Sequence, residues 1–129
     1  MTRASILAIG MDPAFVDMTD SPELAPELIR HYLDSQIARV REQGFEVTSC
    51  LIDDGDTAEA MVTAALTSGA FDCVVIGAGL REPADKLLLF EKILNRVHAL
   101  ASGARICFNT DPADTAAAVE RCLGALPRA

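Results

Sequence analysis

The chain is short of basic residues. Eleven Lys and Arg stand against nineteen Asp and Glu, a formal charge of −8 with both histidines neutral. That balance argues against a surface built for nucleic-acid phosphates or for an anionic membrane. No apolar run approaches the ~20 residues that cross a bilayer. The start, Met1-Thr2-Arg3-Ala4-Ser5-Ile6-Leu7, carries one basic residue and a very short apolar stretch. It reads as the first strand of a domain rather than a signal peptide, so a cytoplasmic location is expected. Four cysteines (Cys50, Cys73, Cys107, Cys122) include no C-x-x-C pair. Each lies in an apolar run, as small buried hydrophobes do in a reducing compartment; a disulfide, zinc site or reactive thiol is the alternative. His31 and His98 are too few and too far apart for a histidine-based metal signature, and no metal site is expected. Internal repeats and low-complexity segments are absent.

What remains is a globular composition, with 129 residues, 50% hydrophobic and 23% charged. That suits one domain spanning 1–129. Strand and helix patterns alternate along it. Ala4–Gly10, Phe45–Ile52, Phe71–Gly77 and Ala104–Asn109 are short apolar or β-rich runs. Between them, Leu24–Gln43, Thr57–Ser68 and Asp85–Ala101 show helical spacing, and a last helix runs from Asp111-Pro112 to about Leu123. Asp56 with Glu59 predicts a capping box on the second helix, and Asp111 is the predicted cap of the last. This alternation predicts a three-layer α/β/α sandwich with a four-stranded parallel sheet. The first and third strands are nearly continuous apolar runs, as expected of central strands. Glu46, Thr48, Ser49 and Arg105 mark the second and fourth as edges. The predicted order is 2-1-3-4, a shortened flavodoxin-like, Rossmann-like arrangement. Right-handed crossovers then put the first and last helices on one face.

Ligands of such sheets bind beyond the carboxyl ends of the strands, where strand order reverses. Here that is between the first and third strands. The candidate ligand-binding residues are Gly10, Asp12, Gly77, Ala78, Gly79, Arg81, Asn109 and Thr110. In Gly77-Ala78-Gly79-Leu80-Arg81 the glycine amides would cradle an anion and Arg81 would clamp it. Equally, the glycines would allow a tight turn, with Arg81 paired to Glu82 or Asp85. Glu82 replaces the third glycine of a dinucleotide fingerprint. Asn109 and Thr110 would orient a ligand or tie down the turn before the last helix. The long loop from Met11 to Glu23 would be a lid or a packed surface loop. Asp12 is the best candidate for acid–base chemistry. With Asp53 and Asp54 it makes only a thin oxygen site for Mg²⁺.

Nucleophilic signatures are missing. There is no P-loop, no G-x-S-x-G elbow and no C-x5-R loop, and nothing pairs a nucleophile with a base at readable spacing. His31 falls on a polar helix face, and His98 at the margin of an apolar one. On Asp85–Ala101 the apolar arc of Leu87, Leu89, Phe90, Ile93, Leu94, Val97 and Leu100 is wider than one sheet face needs, and Leu88 lies outside it. A homodimer through helix 85–101 would use the excess.

Two resemblances bear on this reading. Gly44-Phe45-Glu46-Val47 and Phe71-Asp72-Cys73-Val74-Val75-Ile76 resemble the second and third strands of two-component receiver domains. The phospho-acceptor aspartate of such a domain is replaced here by Gly77-Ala78-Gly79, so the likeness, over roughly Ser5–Gly79, concerns shape alone. Val75-Ile76-Gly77-Ala78-Gly79-Leu80-Arg81, Leu89-Phe90-Glu91-Lys92-Ile93-Leu94-Asn95 and Cys107-Phe108-Asn109-Thr110-Asp111-Pro112 are similar to strings in a group of small uncharacterised bacterial and fungal α/β proteins. That likeness implies the fold and supplies no reaction. Two functions are therefore expected: binding, with or without turnover, of a small anionic metabolite or nucleotide at the switch point, or a dimeric regulatory module of degenerate receiver type.

Overall fold

A computed structural model of the chain describes residues 4–15 and 25–124. Four strands, β1 (Ser5–Met11), β2 (Glu46–Ile52), β3 (Cys73–Ile76) and β4 (Arg105–Phe108), form one sheet. All three pairings are parallel, and the order is β2-β1-β3-β4. The helices are α1 (Pro26–Glu42), α2 (Ala58–Thr67), α3 (Ala78–Arg81), α4 (Leu87–Leu100) and α5 (Thr115–Leu123). No helix among the described residues is long and apolar enough to cross a membrane.

Alternation within the strands sorts their side chains between two layers. Leu7, Ile9, Cys50, Ile52, Val74 and Ile76 pack with Ala58, Val62 and Leu66 of α2 and with Ile93 and Val97 of α4. Ile6, Cys73, Val75 and Cys107 pack with Val40 of α1 and with Ala118, Val119 and Leu123 of α5. These are the expected layers. Each buried Ile, Leu or Val contributes about 1.5–3 kcal/mol, so the two apolar layers carry the fold. Gly44, in the turn between α1 and β2, has a φ of +96° that redirects the chain at little steric cost.

Local details depart from the sequence reading at three places. The segment after β3 is not an open loop but the single helical turn α3, followed by a 3-10 turn at Ala84–Lys86. The third predicted helix is accordingly shorter and begins at Leu87. Asp56 does not cap α2. Asp53 holds that corner instead, accepting the Gly55 N–H at 3.0 Å and the Thr57 hydroxyl. A carboxylate two residues before an N–H closes an Asx-type turn, which competes well with a helix cap. The Asp111 cap is present as a full box with Asp114, on a 3-10 turn (Pro112–Asp114) that leads into α5. Of the predicted long loop, Met11 belongs to β1 and Pro13–Phe15 form another 3-10 turn; 16–24 lie outside the described residues.

Candidate functional site

Strand register explains where the molecule is hollow. On the α1 and α5 face, three rows of side chains cross the sheet. The first contains Val47, Ile6, Cys73 and Arg105, and the second Ser49, Ala8, Val75 and Cys107. The third contains Leu51 and Gly10, with Gly77 and Asn109 following at the ends of β3 and β4. Along β1 this face tapers from Ile6 to Ala8 to Gly10. Beside it stand Ser49 and Gly77. Small residues thus occupy the carboxyl half of the face that α1 covers, and no large side chain fills the gap.

The result is a cavity of about 210 Å³ between α1 and the sheet. Its floor is Ala8, Gly10, Ser49, Val75 and Gly77; its roof is Ile29, Leu33, Gln36 and Ile37 of α1. Gly79, Asn109 and Thr115 stand at the strand ends. A Cβ at Gly77 would lie 3.4 Å from the Ile9 carbonyl oxygen and 3.7 Å from Gly10 Cα, ordinary contact distances. The cavity thus lies under α1, over the carboxyl halves of β2, β1 and β3, and includes residues of both strands at the β1/β3 switch point.

Of the eight candidate residues, Gly10, Gly77, Ala78, Gly79 and Asn109 line the cavity. Asp12, Arg81 and Thr110 are not among its lining residues. Two amides of the expected anion cradle are already engaged. The Gly77 N–H donates to the Ile9 carbonyl at 2.9 Å, and the Ala78 N–H donates to Asn109 Oδ1 at 2.9 Å. Arg81 is not a free clamp. Its guanidinium donates to the backbone carbonyls of Ile76 and Asn109, and its Cζ sits 5.0 Å from the centre of the Phe108 ring. Carbonyls at the end of a short strand have no ladder partner, so a nearby arginine satisfies them. Neither Glu82 nor Asp85 holds it.

Asn109, 7% exposed, is a buried knot. Besides accepting from Ala78, its Nδ2 donates to Thr115 Oγ1 at 2.9 Å, and that hydroxyl donates to the Pro112 carbonyl. One side chain thus fixes the starts of α3 and α5 against the end of β4. Thr110 donates through its N–H and hydroxyl to Asp114, tying the same turn. Both residues therefore make the tying contacts that were one of the two expected roles.

Asp12, the candidate acid–base residue, accepts from the Ala14 N–H at 3.0 Å and pairs with Arg30 of α1. The Ala14 N–H, opposed by partial burial and helped by Arg30, holds its carboxyl below the ordinary carboxylate range. It is built to stay ionised rather than to exchange protons near neutrality. Among the described residues, Asp12, Asp53 and Asp54 do not gather into a group of three carboxylates that would hold a cation. His31 and His98 are both exposed.

Two features escaped the sequence reading. Three further polar members of the cavity wall besides Asn109, namely Gln36, Ser49 and Thr115, come from three different elements. So do Cys73, Cys107 and Cys122, on β3, β4 and α5, whose sulfurs lie within 4.8 Å of one another. Cys73 and Cys107 are 3.4 Å apart, and a hydrogen bond from Cys73 pulls the Cys107 thiol below its ordinary range. Burial pushes Cys122 up, as it does the isolated Cys50.

No protein-family model matches the sequence, and no curated protein matches it. The chemistry of the site is therefore read from its own side chains. No described lining residue carries a titratable group, so the cavity offers apolar contact and a few neutral hydrogen-bonding groups.

Proposed function

We propose that this protein binds a small, neutral and mainly apolar molecule at the β1/β3 switch point. The observation that carries this reading is the composition of the cavity wall: aliphatic side chains with Gln36, Ser49, Asn109 and Thr115 as polar members and no described cation. An anion placed there would lose water without gaining a counter-charge, which is costly. This moves the reading from the anionic metabolite or nucleotide expected from sequence to an uncharged ligand. An apolar cavity of about 150 Å³ takes a benzene-sized guest. A cavity of about 210 Å³ suits a slightly larger aromatic or branched aliphatic compound carrying one hydrogen-bonding group. The absence of an acid or base from the described wall favours binding over turnover.

The test is a thermal-shift panel of small aromatic and branched neutral compounds beside phosphate, sulfate, a nucleotide and a dicarboxylate. A ligand at ~100 times its dissociation constant adds about 2.7 kcal/mol, a shift of several degrees. Neutral apolar compounds should shift the wild type and lose that effect in Ala8→Leu, which fills the floor (Ala8→Val is the milder substitute). A shift from the anions alone, or one untouched by filling the floor, would overturn the reading.

A second reading keeps the homodimer. Leu88 and Leu87 are 70% and 54% exposed at the start of α4, more apolar surface than an isolated helix end needs. Under this reading the chain is a regulatory module of receiver-like shape that pairs through α4. Sedimentation of the wild type and Leu88→Glu decides it: a concentration-dependent dimer lost in the variant supports pairing, and a monomer at all concentrations removes it.

A further inference from the structure

We propose that Cys73, Cys107 and Cys122 form a three-thiolate site for one soft d¹⁰ metal ion, with Cu(I) the best fit. The three residues come from β3, β4 and α5 and share one face of the sheet. Register sets this up. Cys73 lies beside Arg105 and Cys107 beside Val75, so the two cysteines are diagonal neighbours with side chains on the same side. Cys122 of α5 closes the triangle, and all three sulfurs lie within 4.8 Å of one another.

Those separations are what a metal needs. A metal–sulfur bond of about 2.3 Å with trigonal angles sets sulfurs about 4.0 Å apart. The Cys73–Cys107 pair at 3.4 Å and the outer limit of 4.8 Å bracket that value. Small shifts of side chains would complete the triangle. Among the described residues, the group contains no histidine or carboxylate that would add a fourth, harder ligand. Thiolates suit both zinc and Cu(I), but structural zinc is almost always four-coordinate, so a set of three without a fourth ligand fits Cu(I) better. Cys73 and Cys107 are buried and Cys122 is half-buried, so entry would be past Cys122. Each sulfur that binds as thiolate releases its thiol proton to solvent, and no electron is transferred. The guanidinium groups of Arg105 and Arg121, whose charges reach Cys122 and Cys107, would offset the excess negative charge of the loaded site.

The reduced protein is titrated without oxygen with Cu(I) held by a coloured chelator, then desalted and assayed for copper, with zinc run in parallel. One tightly held copper per chain is expected, with a rise in the melting temperature. Cys122→Ser should weaken binding at least about 100-fold, the upper end of what losing even an outer partner costs. Cys107→Ala provides a second test should Cys122→Ser melt early. Cys50→Ser, on the opposite face, should bind like the wild type. Copper lost on desalting, equal retention in Cys122→Ser, or retention of zinc in preference to copper would each overturn the assignment.

Discussion

Asn109→Ala separates a structural knot from a ligand contact. The substitution removes two bonds of 2.9 Å, one accepted from the Ala78 N–H and one donated to the Thr115 hydroxyl. Each such bond is worth about 1 kcal/mol net, and a buried N–H left without a partner costs about 1–3 kcal/mol. Thr115 is partly compensated, since its hydroxyl keeps the Pro112 carbonyl. The sum is about 2–4 kcal/mol. At roughly 3–5 °C per kcal/mol for a domain of this size, the melting temperature should fall by about 6–20 °C. Urea unfolding measures the free energy, and calorimetry the midpoint. Thr115→Ala alone should cost less, and the double variant should be non-additive by about 1 kcal/mol, because both remove the same bond. A loss below about 0.5 kcal/mol, with additive singles, would refute the knot. Asn109 would then be free to serve a ligand.

Arg81→Ala should lower stability by about 1 kcal/mol while leaving the response to neutral ligands unchanged, because its donors face two backbone carbonyls and not the cavity; equal stability with lost ligand response in the thermal-shift panel would restore the clamp. Acid should destabilise the protein through Asp12 and Asp114. Asp12 is held low by the Ala14 N–H, against burial, with Arg30 adding to it, and Asp114 chiefly by the Thr110 hydroxyl. A depressed folded-state pKa stabilises fully above the ordinary carboxylate range, and that contribution is lost as pH falls through the folded value. Urea midpoints taken from about pH 6 down to about pH 2.5 should drop below about pH 4, and more steeply in the wild type than in Asp12→Asn. Parallel curves at low pH would show that the Asp12 contacts add nothing to stability.

The sheet was legible because its order is written in polarity. Strands whose both faces are covered have no place for a charge, and Ile6-Leu7-Ala8-Ile9 and Cys73-Val74-Val75-Ile76 carry none, while Glu46 and Arg105 sit where one edge meets water. The candidate switch point between β1 and β3 follows from that order. Its chemistry does not. Whether Arg81 meets an anion or a carbonyl depends on which acceptors lack a partner at the end of β3 and β4, a property of two strands 28 residues apart in its own contact with Asn109. The same holds for the cysteines: Cys73 and Cys107 are separated by 34 positions, and no local spacing rule spans that distance.

The cavity is a different case, because a signal for it existed. Once β1 and β2 are taken as parallel neighbours, every second residue belongs to one face. Ala8 and Gly10 then stand beside Ser49 and Leu51, directly beyond Ile6 and Val47. Three of those four are too small or too polar to fill the space beneath a helix. In the sequence Ser49 marks an edge strand and Gly10 a candidate ligand contact, and neither alone announces a gap beneath a helix. Yet a core strand that tapers to glycine under a covering helix must either be met by large side chains from that helix or leave room. Ile29, Leu33 and Ile37 of α1 do not reach far enough, and about 210 Å³ remains open. A single Ala8→Val would add packing contacts on that floor, at about 0.8 kcal/mol for each buried methylene-sized group. The same substitution should weaken the response to neutral compounds in the thermal-shift panel; a gain in stability with that response intact would place their binding elsewhere.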